Sequence, residues 1–292
     1  MEKGRNWQKP KKAFLLLKRN DPLRMAGATA FFTSFSLPFI LIILIQLFGL
    51  VVNRRELSQQ LFHSLSGILG NPGEQQIRDI SRGFRRLATN WYIAVGGFIF
   101  LLFVVTTLFK VIKDSIHQLW QVQPADSKWS GALLPRVKSV MLILLAGIFF
   151  LVDLAVESFL AIVHHSMSEL GPTTASAIFL VLQQVISFVI ITGWIISLFL
   201  YLPDARFSFK VTFKGATLTG LLFTVGKLLL GWLLISSNVQ RIYGTAGAFV
   251  IVLLFVFYIA LILYYGAAFT AVVAADGKEA LRPGVHMRLL GK

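Results

Sequence analysis

The stretch AGAFVIVLLFVFYIALILYYGAAFTAVVAA, residues 246–275, contains no charged side chain. An uninterrupted apolar run of that length exceeds the roughly 20 residues that span a hydrocarbon core. It is read as a membrane helix, and its excess length implies tilt or extension beyond the bilayer. Working outward, five further apolar stretches follow the same rule: Met25 to Val52, Trp91 to Phe109, Ser139 to Val163, Ala177 to Leu202 and Ala216 to Ser237. Pro38 lies inside the first, where a missing N–H and a clash with the preceding turn favour a kink. The expected fold class is therefore all-α, a polytopic membrane protein with six transmembrane helices.

Composition agrees with this reading. The 292 residues are 56% hydrophobic and only 14% charged, against about a quarter charged in soluble domains. With no cysteine, disulfides, thiolate metal sites and a cysteine nucleophile are excluded together. The basic N-terminus carries too short an apolar core for a signal peptide, so it is expected to remain on the mature chain.

The formal charge of +15 invites a nucleic-acid reading, but its distribution suits a membrane better. Basic residues accumulate on the cytoplasmic side of membrane proteins. With the N-terminus inside, the cytoplasmic segments carry eight, five, three and four Lys or Arg, and the external ones six, none and one. Both termini are then cytoplasmic. The domain plan is a basic interfacial segment over residues 1–24, a transmembrane domain over 25–275 and a tail over 276–292. Within the first segment, Lys9 to Asn20 surrounds AFLLL with positive charge, as suits an anchor on an acidic leaflet.

External residues 53–90 are expected to form amphipathic helices around GNPG, with Leu57, Leu61, Leu65 and Ile68, then Ile77, Ile80, Phe84 and Leu87, at helical spacing. Arg78, Arg82, Arg85 and Arg86 cluster on the second helix. Two readings stand: a solvated cap, or a surface that meets anionic headgroups or an envelope partner.

Three ionisable residues fall inside the spans: Asp153, Glu157 and Lys227. A charge at the bilayer centre costs about 2.5–3.5 kcal/mol, so such residues usually face the bundle interior and pair. Asp153 and Glu157 are four apart and share a helix face. At 1.5 Å rise per residue, Asp153 lies roughly 21 Å above Ser139 and Lys227 roughly 17 Å above Ala216. Lys227 is accordingly expected to bridge one of the carboxylates, to join a polar pathway for a headgroup, ion or proton, or to snorkel. Arg24 is a further candidate headgroup contact. His164, His165 and Glu169 do not make a metal site, since adjacent histidines point to different faces, and no metal or cofactor is expected.

The C-terminal third, LYLPDARFSFKVTFKGATLTGLLFTVGKLLLGW followed by RIYGTAGAFVIVLLFVFYIALILYYGAAFT, resembles the YihY/BrkB family of bacterial inner-membrane proteins, once labelled ribonuclease BN. DPLRMAGATAFFTSFSLPFILII resembles the family's first span, and HQLW, His117 to Trp120, stands where the family usually has Asn-x-x-Trp. The matching motif positions, Pro38, Trp120, Pro203, Tyr243, Gly244, Gly247 and Gly266, are expected to be structural. One departure is Ala268, where the family commonly carries Glu.

The resemblance implies a six-helix inner-membrane fold and links to envelope integrity, serum resistance and lipid passage, without an agreed activity. The ribonuclease label fits poorly, because acidic or histidine clusters with nuclease spacing are missing from the sequence. The expected function is handling or translocation of phospholipid or another amphiphile, with membrane lipids as partners and no nucleic acid. A membrane scaffold or envelope assembly factor is the alternative. An intramembrane enzyme using Asp153 and Glu157 as acid and base ranks third.

Overall fold

The computed structural model describes residues 3–48, 57–62, 74–75, 77–79, 82, 91–124, 141–153, 155–156, 159–160, 172–236, 247–277, 279, 281–283 and 287–289. Almost all of these are helical. The helices are α1 (Lys3–Lys18), α2 (Pro22–Phe48), α3 (Trp91–Leu119), α4 (Met141–Asp153), α5 (Pro172–Tyr201), α6 (Phe209–Ser236) and α7 (Gly247–Asp276). α2 runs unbroken through Pro38, where a kink is expected from the sequence.

Among the described residues four short strands supplement the helices: β1 (Val122–Pro124), β2 (Ala205–Arg206), β3 (Arg282–Pro283) and β4 (Met287–Leu289). β1 pairs antiparallel with β4, and β2 with β3. An all-helical expectation is thus right for the body of the chain and incomplete at one end of it.

Two described helical segments are long and apolar enough to cross a bilayer, Val181–Tyr201 and Phe249–Asp276, with mean hydropathies of 2.0 and 2.6. Only 22% and 39% of their most apolar windows are buried within the protein. The core helix of a soluble domain would be largely covered. Val181, Val185 and Val189 instead leave 64%, 52% and 60% of their surface open along one stripe of α5. An apolar stripe of this kind needs lipid or a partner against it.

α7 is the central element and packs against α1, α2, α3 and α6. Its crossing with α6 is set by a sequence pair that reads GATLT in α6 (Gly215–Thr219) and GAAFT in α7 (Gly266–Thr270). A Cβ at Gly215 would collide with Oγ1 of Thr270, and one at Gly266 with Oγ1 of Thr219. Each threonine therefore occupies the space left by the glycine on the facing helix. Both hydroxyls are buried, and each donates to the carbonyl four residues back, Thr219 to Gly215 at 2.7 Å and Thr270 to Gly266 at 2.8 Å. The polar groups are thereby satisfied within their own helices, and the backbones come close, as small residues permit in membranes.

The antiparallel crossing fixes one end of the molecule. Gly215 lies about 9 Å of helix from the start of α6, and Thr270 about 9 Å from the end of α7, at 1.5 Å per residue. β2 immediately precedes α6 and β3 follows α7, so the crossing brings these strands within pairing distance. Ser208 Oγ donates to Glu279 Oε2 across the same end, and an ion pair from Lys9 Nζ to Asp276 Oδ2 at 3.1 Å ties it to α1.

Beside this crossing, Tyr264 is fully buried, and its hydroxyl meets Thr29 of α2. Thr29 Oγ1 already donates to the Met25 carbonyl at 2.9 Å, so Tyr264 donates to Thr29. Gly266→Ala should therefore destabilise the chain by about 1–3 kcal/mol, the usual range for overpacking. The double variant with Thr219→Ala should recover part of the loss, and Gly27→Ala, with open space around its Cβ, should be near neutral. Thermal unfolding of the purified protein in detergent checks all three.

Candidate functional site

Where α3 ends, the chain makes a tight exit. Gln121 takes a left-handed conformation with φ of 56°, and its N–H donates to Gln118 O at 3.2 Å. A non-glycine residue there costs about 1–2 kcal/mol, and the turn sends the chain into β1. Asp21 adopts the same region, φ 52°, between α1 and α2. Its carbonyl accepts from Met25 N–H at 3.2 Å, and Pro22 supplies the preset first helical residue.

These two turns and the α5–α6 connection border an open cavity of about 760 Å³, whose described lining residues are Asn20, Lys113, Asp114, His117, Gln118, Gln121, Val122, Gln123 and Asp204. Lys113 Nζ pairs with Asp204 Oδ2 at 3.0 Å. One turn further along α3, His117 is buried, and its Nε2 accepts the backbone N–H of Asp204 at 3.0 Å. Acceptance requires that Nε2 carry no proton. Lys113 and His117 therefore hold the α5–α6 turn by its side chain and its backbone together.

Trp120 anchors the same end of α3. Its Nε1–H donates to the Ala267 carbonyl at 3.0 Å, and its ring meets Phe199 and Phe207 edge-on. Pro203 is fully buried next to Asp204. Trp120 and Pro203, far apart in sequence, are thus each buried beside a residue that lines the cavity, Gln121 and Asp204.

Asp114 opens onto solvent at the rim, beyond the apolar part of α3 that ends at Phe109. Protein packed on its other sides strips enough water from the carboxyl to raise its pKa above the ordinary value; Lys113 and Lys110 act in the opposite sense, and Asp204 adds repulsion. A raised folded-state pKa means that the charged form is disfavoured by folding.

The remaining sequence-predicted residues distribute as follows. Asp153 Oδ1 accepts from Ser187 Oγ of α5 at 3.0 Å. Lys227 is half-buried on α6; of the two carboxylates that could pair with it, Asp153 forms no ion pair with it, and Glu157 is not among the described residues. Matched depth along two helices does not imply matched rotation about them. Glu157 lies outside the described residues, as do Arg85, Arg86, Tyr243 and Gly244. Gly247 opens α7.

Arg24 sits in the first turn of α2, largely exposed, and donates from Nη2 to Gln118 Oε1 at 3.3 Å. Asp21 is 4.0 Å from it. Arg78 pairs with Glu74, four residues before it, and lies over the ring of Phe62 at 4.2 Å. Arg82 lies 3.5 Å from Asp79.

Residues 13–286 match the family described as Virulence factor BrkB. The chain belongs to the Virulence factor BrkB family. A UPF0761 membrane protein of Teredinibacter turnerae (strain ATCC 39867 / T7901) is 26% identical over 272 residues, covering 90% of this chain. The chain spans 60% of the length of that curated relative. No solved structure matches. This BrkB-family chain is accordingly a membrane protein, with His117 on the wall of the cavity and Trp120 and Pro203 next in sequence to the lining residues Gln121 and Asp204.

Sequence reading did not find Lys113, Asp114 or Asp204. Lys113 and Asp204 are 91 positions apart, so no local pattern announces the pair. The one usable signal was their position beside the motifs HQLW and LPD.

Two outcomes follow from this geometry. His117→Leu strands the Asp204 N–H and should destabilise by about 1–3 kcal/mol, whereas His117→Asn keeps an acceptor and should recover much of that loss in detergent melting curves. Asp114→Asn removes a carboxylate whose ionisation opposes folding, so the variant should melt above the parent at pH 7. The gap should close as pH falls through the raised pKa, because both proteins are then neutral at that position.

Proposed function

We propose that this chain is a six-span protein of the bacterial inner membrane that handles or translocates phospholipid in support of the cell envelope. The observation that carries the reading is a polar, charge-lined cavity at the end of helices whose outer faces are apolar and uncovered. A phospholipid has the same division between a charged head and hydrocarbon tails.

The proposed orientation, with both termini in the cytoplasm, is supported by which segments meet. α1, the chain after α3, the α5–α6 turn and the C-terminal strands come together through β1–β4, β2–β3 and Lys9–Asp276. All four are segments that the distribution of basic residues assigns to the cytoplasm. α1 buries Ala13 and Leu17 while exposing Phe14 and Leu15, and its lysines suit an acidic leaflet. Arg24, exposed beside the cavity, is the headgroup contact we favour, and Lys227, half-buried in α6, offers a second cation along the bundle.

A scaffold role is the second reading, and the clamped end favours it: two strand pairs and two ion pairs hold the termini and turns together. A catalytic reading has less support, because Asp153 is engaged with Ser187 and does not stand as an open acid or base.

The purified chain in liposomes carrying a headgroup-labelled phospholipid tests the proposal. Transport predicts that label on the inner leaflet becomes accessible to an external quencher faster than in protein-free vesicles, and that Arg24→Gln slows this. Identical rates with and without protein would favour the scaffold.

A further inference from the structure

We propose that the cavity is a headgroup site for an aminophospholipid, which takes the ammonium at Asp114 and the phosphodiester at Arg24. The inference rests on the lipid-handling reading and specifies its substrate class.

The charges in the cavity do not cancel. Lys113 is matched by Asp204 at 3.0 Å, so among the described residues the remaining ionised wall group is the carboxylate of Asp114, which makes no ion pair with any of them within 4 Å. Lys110 and Lys113 act on it only at longer range. A partly desolvated carboxylate next to uncharged amides, Gln118, Gln121 and Gln123, selects a cation that can also donate hydrogen bonds. A primary ammonium with three donors fits this lining.

A metal ion fits less well. His117 Nε2 already accepts from Asp204 N–H, and the Asp204 carboxylate is taken up by Lys113.

The anion end lies at the rim. Arg24 reaches the cavity wall through Gln118, and 67% of its side chain is open, with Asp21 only at 4.0 Å. A guanidinium so placed can bind a phosphodiester through two parallel N–H donors.

The level of the cavity in the membrane argues for a lipid over a soluble amine. Leu23 next to Arg24, Tyr201 three residues before Asp204, and Phe209 five after it leave 68%, 48% and 60% of their surfaces exposed. Apolar side chains spread around a polar opening belong at the boundary between headgroups and acyl chains. The cavity volume of about 760 Å³ also falls in the usual range of small-molecule sites, about 300–1,000 Å³.

The test measures binding rather than transport. The full chain in nanodiscs is titrated with a fluorescent phosphatidylethanolamine and, separately, with phosphatidylglycerol of the same acyl chains. Phosphatidylethanolamine should bind about tenfold more tightly, as one additional charge pair would give. Asp114→Asn should abolish that preference while leaving the protein folded and more heat-stable at pH 7; Arg24→Gln should weaken both lipids alike. Free phosphoethanolamine should compete poorly.

A preference that survives Asp114→Asn overturns the assignment. Competition by free phosphoethanolamine as strong as by the lipid would overturn it too, making the site one for a soluble amine. Lipid movement between leaflets without any headgroup preference would sink this inference and leave the transport reading standing. Selective binding without movement would do the reverse.

Discussion

The close approach of α6 to α7 is the constraint on which the rest depends. Two glycines and two threonines, in the same five-residue pattern on each helix, fill one another's space. In a bilayer, helices gain little by burying apolar surface against each other, because lipid is equally apolar; tight van der Waals packing decides the crossing. Here the crossing lies near the N-terminal end of α6 and the C-terminal end of α7. It therefore fixes β2 against β3, presents the Ala267 carbonyl to Trp120, and sets the end of α3 on which Lys113, Asp114 and His117 stand.

From that end the polar architecture follows. Lys113 and His117 grip the turn that carries Asp204, one through its carboxylate and one through its backbone. The turn is then rigid enough to form a wall, and Asp114 is left facing the opening at some expense to stability. Functional positions commonly hold groups that oppose folding, while the surrounding framework supplies the difference. The uncovered apolar stripe of α5 calls for lipid or a partner against it, and α1, basic and largely exposed, is tied to the same polar end by Lys9.

Hydropathy alone finds the apolar part of each long helix and bounds α7 closely, because a charge-free run such as 246–275 has few alternatives, but α3, α5 and α6 continue five to ten residues beyond the apolar stretch at one end. The distribution of Lys and Arg correctly groups the segments that meet at one end, although it does not show how they meet. The strands escape a sequence reading because each is only two or three residues long and pairs with a distant partner. Lys227 matches Asp153 in depth, but depth does not fix rotation about the helix axis, which depends on packing, and Asp153 meets Ser187. The signal that could have located the interlock was present twice: GATLT and GAAFT are near-copies, whose threonines read as neutral until they face a glycine.

Because the chain has no cysteine, the dependence of the polar end on the helix crossing is open to direct measurement. Arg206→Cys and Arg282→Cys occupy paired positions on β2 and β3, at a separation that antiparallel pairing makes compatible with a disulfide. Oxidation in native membranes should crosslink this pair efficiently in the parent background, and poorly once Gly266→Val wedges α6 from α7. Equal crosslinking in both backgrounds would show that the strands meet independently of the crossing, and would contradict the role given to the glycine and threonine interlock.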